Sequence, residues 1–249
     1  MYAASFIPLL VISFLSAIIG TLIGMAMLIM PPVMIFFGVP VHAAIATARF
    51  SMVGQHFGNI TKFSLKDKIQ LKYVVPFAIA GIIGSIFGAL FLIKINEELL
   101  KNTIGIFMII ISFLILFEDF IKPRKRKPKI TTKHHFLSVL SGLFIGAYLG
   151  IIGGGGATII ILLLIVIYGR SFHDAIANQK AVTFPISIIT TMIFIYQGLI
   201  DYKLGVPLFL VNVVGGWIGA GLILKFKNIW LKRILVPVII ILALRLIFF

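Results

Sequence analysis

The sequence predicts an all-α integral membrane protein made of two inverted five-helix repeats with glycine-broken or re-entrant helices. Three observations favour this fold: an apolar composition, ten apolar runs, and a basic segment between two similar halves. Of the 249 residues, 61% are hydrophobic and only 12% are charged, about half the charged share of an average soluble domain. So few charges cannot cover a soluble fold, which excludes a soluble enzyme or nucleic-acid-binding domain.

Ten apolar runs follow one another along the chain, and most could form a spanning helix of roughly 20 residues. They lie at residues 6–23, 25–38, 43–61, 73–93, 99–118, 135–151, 155–168, 174–197, 204–224 and 230–249. The second and seventh runs have about 14 residues, which is too short for a straight span. Each is therefore expected to be half of a broken helix or part of a re-entrant pair, and the pattern leaves both open.

A basic, proline-containing segment divides the chain almost in half. We expect a first transmembrane repeat at 1–121, a basic cytoplasmic linker at 122–134 and a second, inverted repeat at 135–249. The 22 Lys and Arg residues against 7 Asp and Glu give a net charge of +15. In a membrane protein such an excess indicates basic cytoplasmic loops. The expected surroundings are thus the lipid bilayer, with no nucleic-acid partner, and a homo-oligomer is left open.

The two halves are similar in sequence at a constant offset of 131 residues. The segment His42–Arg49 aligns with His173–Lys180, and the same offset carries Gly24 to Gly155. Each half holds five apolar runs. An odd number of crossings per half would turn the second half upside down relative to the first.

Loop charges agree with this inversion. If the linker is cytoplasmic, the lysine-rich loops at 62–72 and 225–233 fall on the same side, and the loops without net charge at 94–101 and 201–203 fall outside. Equivalent loops then have opposite charge bias, which is typical of inverted repeats. We therefore expect a multi-pass protein of the cell membrane with both termini outside.

Two cations are the strongest candidates for a binding site. Arg49 and Lys180 each lie seven residues into the third run of their half, roughly 10 Å deep at 1.5 Å per residue. Arg49 also shares one helix face with His42 and His56, because seven residues are nearly two turns. A cation at that depth either snorkels to the near interface or faces protein and water. Because both halves keep it, we expect the pair to bind a small anionic substrate.

Other polar residues accompany these cations. His42 and His173 begin the same two helices, either as anion ligands or as residues of the headgroup interface. They have no Cys, Asp or Glu partners at metal-ligand spacing, so no metal site is expected. Thr47 lies on a polar face that either lines a pore or forms hydrogen bonds between helices. Asn178 and Gln179 flank the second cation with the same two interpretations.

The glycine run Gly153, Gly154, Gly155 and Gly156 predicts a helix break, because each glycine weakens a helix by about 1 kcal/mol relative to alanine. Broken backbone at membrane depth is tolerated where it is buried or lines a cavity. The half-helix after it would direct N–H groups at an anion; close helix packing is the alternative. The first half keeps only one glycine here, and Pro31-Pro32 is the candidate for its irregularity.

With these features the sequence resembles the TauE/SafE sulfite-exporter family. The resemblance is carried by Gly153–Gly156, Ala43–Arg49 and Ala175–Lys180, and it spans nearly the whole chain. It implies a membrane transporter that exports small sulfur oxyanions such as sulfite, or organosulfonates. The sequence departs from the family pattern in three places: its first glycine cluster is reduced, arginine stands where lysine is usual at 49, and asparagine replaces threonine at 178.

Two other classes are weaker alternatives. A membrane-embedded enzyme would need a titratable group in reach of substrate, but the chain has no cysteine and only Asp174 near the start of a core helix. An assembly factor without transport activity would not need a duplicated cation inside the membrane. We therefore expect no enzymatic activity and no cofactor. The exact substrate, the coupling ion and the direction of transport are left open by the residues.

Overall fold

The computed structural model describes residues 3–24, 26–66, 69–117, 131–223 and 229–248. These residues form ten α-helices and no strands, which confirms the all-α prediction. The helices are α1 (Ala3–Ile23), α2 (Ala26–Phe36), α3 (Val41–Ser64), α4 (Leu71–Lys94), α5 (Glu97–Phe117), α6 (Thr132–Ile151), α7 (Gly156–Tyr168), α8 (Phe172–Tyr196), α9 (Tyr202–Ile223) and α10 (Ile229–Phe248).

Several helices have the length and composition of membrane spans. Within the described residues, α4, α6, α9 and Asp174–Tyr196 of α8 are long and apolar enough to cross a bilayer. Large apolar side chains such as Phe87, Phe91 and Phe144 are exposed on their outer faces. Such faces suit lipid rather than water. The helix α3 is also long, but it directs many polar side chains inward.

Close packing joins helices from opposite halves of the chain, above all α4 with α6 and α3 with α9. Glycines allow this contact. A Cβ atom at Gly88 would lie 2.9 Å from the carbonyl carbon of Ala147, and one at Gly58 would lie 2.9 Å from the nitrogen of Trp217. Small residues of this kind let helix backbones approach each other in membranes.

The hydrogen bonds and contacts of α3 show that α9 runs parallel to it. The backbone N–H of Asp201, just before α9, donates to the hydroxyl of Thr47 at 2.9 Å. Further along both helices, Gly58 packs against the backbone of Val213. The starts of α3 and α9 therefore lie side by side, and so do their later turns, as in two parallel helices.

The same relation holds between α4 and α8. The backbone N–H of Gln70, just before α4, donates to the side-chain oxygen of Asn178 at 2.7 Å. Further along, Gly81 packs against the side chain of Ile186. Gln70 follows the end of α3 by six residues, and Asp201 follows the end of α8 by five, so each of these two helices ends near the early turns of the other. It follows that α3 and α8, which are equivalent at the 131-residue offset, run in opposite directions.

The helices α6 and α7 form a hairpin around the glycine run. The hydroxyls of Tyr168, at the end of α7, and Ser138, near the start of α6, are hydrogen-bonded at 2.6 Å. The Tyr168 ring also stacks on His134, with 6.1 Å between ring centroids. The chain thus turns back at the glycines toward the side on which α6 begins.

The break between α1 and α2 lies at Gly24, so the assignment of this irregularity to Pro31-Pro32 is wrong. Gly24 has φ +82°, close to the φ +77° of the equivalent Gly155, whereas both prolines lie inside α2. A left-handed φ is open to glycine, while proline is fixed near −65° and cannot form this turn.

Candidate functional site

A small cavity lies where both helix breaks meet α3 and α8. Its volume is about 30 Å³, room for about two water molecules at roughly 10–15 Å³ each. Turns from α1, α2, α3, α6, α7 and α8 line it. The polar side chains in this lining are Arg49, Gln55, His56, Gln179, Lys180, Thr183 and Ser187.

Two buried cations face this cavity, one from each half of the chain. Arg49 and Lys180 are each only 2% exposed. The Arg49 guanidinium donates from Nη2 to the carbonyl oxygen of Leu149, and its Nε has no hydrogen-bond partner. The Lys180 ammonium donates to the carbonyl oxygen of Gly20 at 3.4 Å, a weak contact by its length. Both cations therefore keep hydrogen-bonding capacity toward the cavity.

Within the described residues, neither cation has a carboxylate partner. The ion pairs found there are His42 with Glu97 and Arg170 with Asp174, both away from the cavity lining. A buried charge is costly unless it is paired. The cavity thus has an excess of two positive charges, and an anion bound between them would offset it.

The glycine run lies directly against the first cation. Gly153 has φ +77°, and a Cβ atom there would lie 2.8 Å from the guanidinium carbon of Arg49. Gly155, also at φ +77°, is the N-cap of α7. The carbonyl oxygen of Gly154 accepts a hydrogen bond from the Tyr148 hydroxyl at 2.6 Å. The run therefore both ends one helix and leaves space for the guanidinium.

Two half-helices begin at the cavity. Ala157, in the first turn of α7, and Ala26, the first residue of α2, both line it. The first N–H groups of a helix lack intrahelical partners, and such ends attract anions. The backbone thus adds to the positive character that the two side chains give this cavity.

Of the predicted site residues, the structure brings Arg49, Lys180, Gln179 and Gly153 together at the cavity. Gln179 donates through Nε2 to the Thr183 hydroxyl at 3.1 Å, and its Oε1 has no partner. Residues 154–156 continue the glycine run beside the lining. The roles of all these residues in substrate binding stay predictions.

The other predicted residues lie away from the cavity lining. Thr47 and Asn178 accept the hydrogen bonds from Asp201 and Gln70 described above. The imidazole of His42 lies 3.3 Å from the carbonyl oxygen of Leu92 through Nε2. His173 belongs to the first turn of α8, and its side chain lies outside the described structure.

Several lining residues were not among the predicted ligands. His56 and Ser187 lie two turns beyond Arg49 and Lys180. This seven-residue spacing could have been used to include both in the predicted site. Gln55 donates to the carbonyl oxygen of Ala17 at 2.7 Å, which anchors α3 to α1. Gln55 shares the polar face of Thr47, for which hydrogen bonding between helices was one of the two interpretations, but the sequence did not indicate that α1 would be the partner.

The described residues contain no set of side chains that could form a metal centre. No group of three or more His, Cys, Asp or Glu side chains lies close enough together there to hold a metal ion. Two of the side chains that converge at the cavity, Arg49 and Lys180, are cations, which suit an anion rather than a metal cation.

Comparison with known proteins identifies the family. The model of the family described as "Sulfite exporter TauE/SafE" matches residues 9–246. The chain belongs to the TauE/SafE family. This confirms the resemblance inferred from the glycine run and the two alanine-rich cation stretches, and it supports a membrane-embedded protein whose function is transport.

Curated relatives of this TauE/SafE protein are named as transporters. A "Probable membrane transporter protein" of Haemophilus influenzae is 21% identical over 232 residues, covering 93% of this chain and 89% of the relative. The "Probable membrane transporter protein YdhB" of Bacillus subtilis is 25% identical over 202 residues, 81% of each chain. A third, "Probable membrane transporter protein ORF9" of Sinorhizobium sp, is 22% identical over 238 residues, covering 96% and 90%.

Proposed function

We propose that this TauE/SafE protein exports a small oxyanion, sulfite or an organosulfonate, through a site formed by Arg49 and Lys180. The observation that carries the proposal is the burial of both cations at one cavity without a carboxylate partner among the described residues. A divalent oxyanion would neutralise both charges and accept several hydrogen bonds. Such charge-assisted hydrogen bonds are worth about 1.5–3 kcal/mol each.

The proposed architecture is a pair of inverted repeats, 1–121 and 135–249, joined by the cytoplasmic linker 122–134. The matching helix starts support it, because the 131-residue offset carries Val41 to Phe172 and Leu71 to Tyr202. The opposite directions of α3 and α8 support it as well. With the basic linker inside the cell, both termini lie outside. Residues 118–130, which include most of this linker, lie outside the described structure.

In this arrangement the α1–α2 and α6–α7 pairs are re-entrant hairpins that bring the two helix breaks to one site from opposite faces of the membrane. Inverted repeats with broken helices at a central site are common in secondary transporters. The cavity holds about two waters, less than a four-atom oxyanion needs. We therefore expect side chains of the lining to shift on binding, with Arg49 exchanging the carbonyl oxygen of Leu149 for the anion.

The membrane potential can drive export from such a site. Each negative charge that moves from the negative cell interior to the outside releases about 2.3 kcal/mol per 100 mV. The described cavity lining has no carboxylate that could bind a metal cation such as Na⁺, so export driven by the potential needs no coupled metal cation.

A membrane-embedded enzyme is less well supported. His56 and Ser187 both line the cavity, but His56 has no described acidic partner to orient it, and its Nδ1 has no hydrogen-bond partner. A catalytic histidine beside a serine is normally held by a third group.

Anion efflux from liposomes tests the proposal. Proteoliposomes loaded with sulfite or a sulfonate should lose anion through the wild-type protein, and R49A and K180A should each slow this efflux by about tenfold or more, since each removes charge-assisted hydrogen bonds. R49K should have a smaller effect, because lysine keeps the charge but not the bidentate fork.

A matched control lies on the same helix. Lys62, in the last turn of α3, stacks over Trp217 at 3.8 Å outside the cavity, and K62A should transport like the wild type. Wild-type efflux by both R49A and K180A would show that the two cations are structural.

A further inference from the structure

His56 is a buried titratable group in the cavity whose hydrogen-bonding capacity is unused. Its side chain is 9% exposed, and its Nδ1 has no hydrogen-bond partner. It lies two helical turns beyond Arg49 on the same face of α3, so both side chains face the same space. Buried polar atoms of this kind normally have a hydrogen-bond partner. The unpaired Nδ1 therefore indicates that a ligand could bind next to it.

The charged groups around His56 are all positive. Arg49 faces it from α3 and Lys180 faces it from α8. The cavity residues from the four remaining helices are not titratable. They are Gly20 of α1, Ala26 and Met27 of α2, Leu149 of α6 and Ala157 of α7, with Gly24 and Gly153 at the two helix breaks.

Two further helices contact α3, and their titratable groups are distant from His56. The described ones on α9 are Tyr202 and Lys203, at the end that packs beside Thr47. Those on α5 are Glu97, Glu98 and Lys101, at the end that packs beside His42. His42 lies 14 residues before His56, roughly 21 Å along the helix at 1.5 Å per residue.

A bound oxyanion would reverse the charge that His56 faces. Beside two cations alone, a third positive charge is repelled. A divalent oxyanion between the cations would cancel their charge and offer the imidazole an acceptor. A protonated imidazole has two N–H donors, so Nδ1–H could donate to the anion.

We propose that a proton binds His56 together with the oxyanion, which makes His56 a proton site coupled to the anion site. This proposal rests on the proposed function, because it requires an anion between Arg49 and Lys180. By linkage, a proton taken up with the anion makes anion binding tighter as the pH falls, and anion binding makes proton binding tighter by the same factor. If both leave the protein together, each transport cycle carries one negative charge less.

Calorimetric binding of sulfate to the purified full chain tests this coupling. Sulfate stays divalent between about pH 5 and pH 8, the range in which histidine changes its charge. With one linked proton, the Kd for sulfate should fall by up to about tenfold for each pH unit of acidification. Titrations in buffers of different ionisation enthalpy should show proton uptake by the protein on sulfate binding.

The variant H56Q keeps a hydrogen-bonding side chain but cannot titrate in this range. It should bind sulfate with a Kd that is nearly independent of pH, and without proton uptake. Two controls should keep the wild-type pH dependence: S187A, at the equivalent position of α8 in the same cavity, and H42Q, a histidine outside the cavity.

The outcomes separate the two proposals. A wild-type Kd that is independent of pH, or a pH dependence that persists in H56Q, would overturn the proton site and leave the anion site intact. Failure to bind sulfate, sulfite and a sulfonate at every pH would overturn the anion site itself. If H56Q does not fold, H56N replaces it, and the same comparison with the wild type decides.

Discussion

At the scale of single residues, Thr47 and Asn178 connect the two halves of the molecule. Each accepts a hydrogen bond from the backbone N–H just before a helix of the opposite half, that of Asp201 before α9 or that of Gln70 before α4. The two contacts are related by the 131-residue offset. Backbone N–H groups at helix starts have no intrahelical partner, so each side chain satisfies a donor that packing has partly buried.

The substitution T47V tests this contact. Valine has nearly the same shape as threonine but cannot accept the N–H of Asp201, and an unsatisfied buried donor costs about 1–3 kcal/mol. The melting temperature in detergent should fall by roughly 2–4 °C for each kcal/mol. The control T61V removes a hydroxyl on an exposed turn of the same helix, bonded to the carbonyl oxygen of Phe57. Equal melting temperatures for T47V and the wild type would contradict this role.

The sequence indicated which two cations lie at the same cavity, but not which groups accept their hydrogen bonds. The seven-residue spacing indicated Arg49 and Lys180. Their hydrogen-bond acceptors, the carbonyl oxygens of Leu149 and Gly20, lie 100 and 160 residues away along the chain. Contacts over such separations depend on how the helices pack, and no local pattern encodes them.

At the scale of helices, two glycine turns place the half-helices α2 and α7 at the cavity. Four consecutive glycines made the second turn visible in the sequence. The first turn needs a left-handed residue only at Gly24, so a single glycine suffices and the signal is weak. The irregularity was assigned to Pro31-Pro32 instead, although proline cannot adopt a left-handed φ.

The substitution G153A tests the link between this turn and the site. Alanine at φ +77° is strained by roughly 1–2 kcal/mol, and its Cβ would meet the Arg49 guanidinium. Anion binding should therefore fall strongly while the protein still inserts into the membrane. The control G198A imposes the same type of strain at φ +66°, where a Cβ meets nothing within 4 Å. Equal binding by G153A and G198A would show that contact with Arg49 is unimportant.

At the scale of the whole molecule, the sequence predicted the duplication but left the path of the short runs open. The offset of 131 residues predicted equivalent helices, and those helices begin at equivalent positions in the structure. Whether 25–38 and 155–168 cross the membrane or turn back could not be predicted, because length and hydropathy are the same in both cases. The hydrogen bond between Tyr168 and Ser138 favours turning back for the second run.

Labelling of single cysteines tests the inverted topology. The chain has no native cysteine, and the exposed residues Lys66 and Gln197 are equivalent at the 131-residue offset. In intact cells, Q197C should react with a membrane-impermeant maleimide and K66C should react only after permeabilisation. Reaction of both positions from the same side would contradict inverted repeats.

The central claim is that one oxyanion binds between cations supplied by the two halves, and a structure determined with bound selenate tests it most directly. We predict one anomalous selenium peak within hydrogen-bond distance of both the Arg49 guanidinium and the Lys180 ammonium, with Arg49 released from the carbonyl oxygen of Leu149. A selenate that binds elsewhere, for example at Arg170, while Arg49 keeps its contact with Leu149, would contradict the claim.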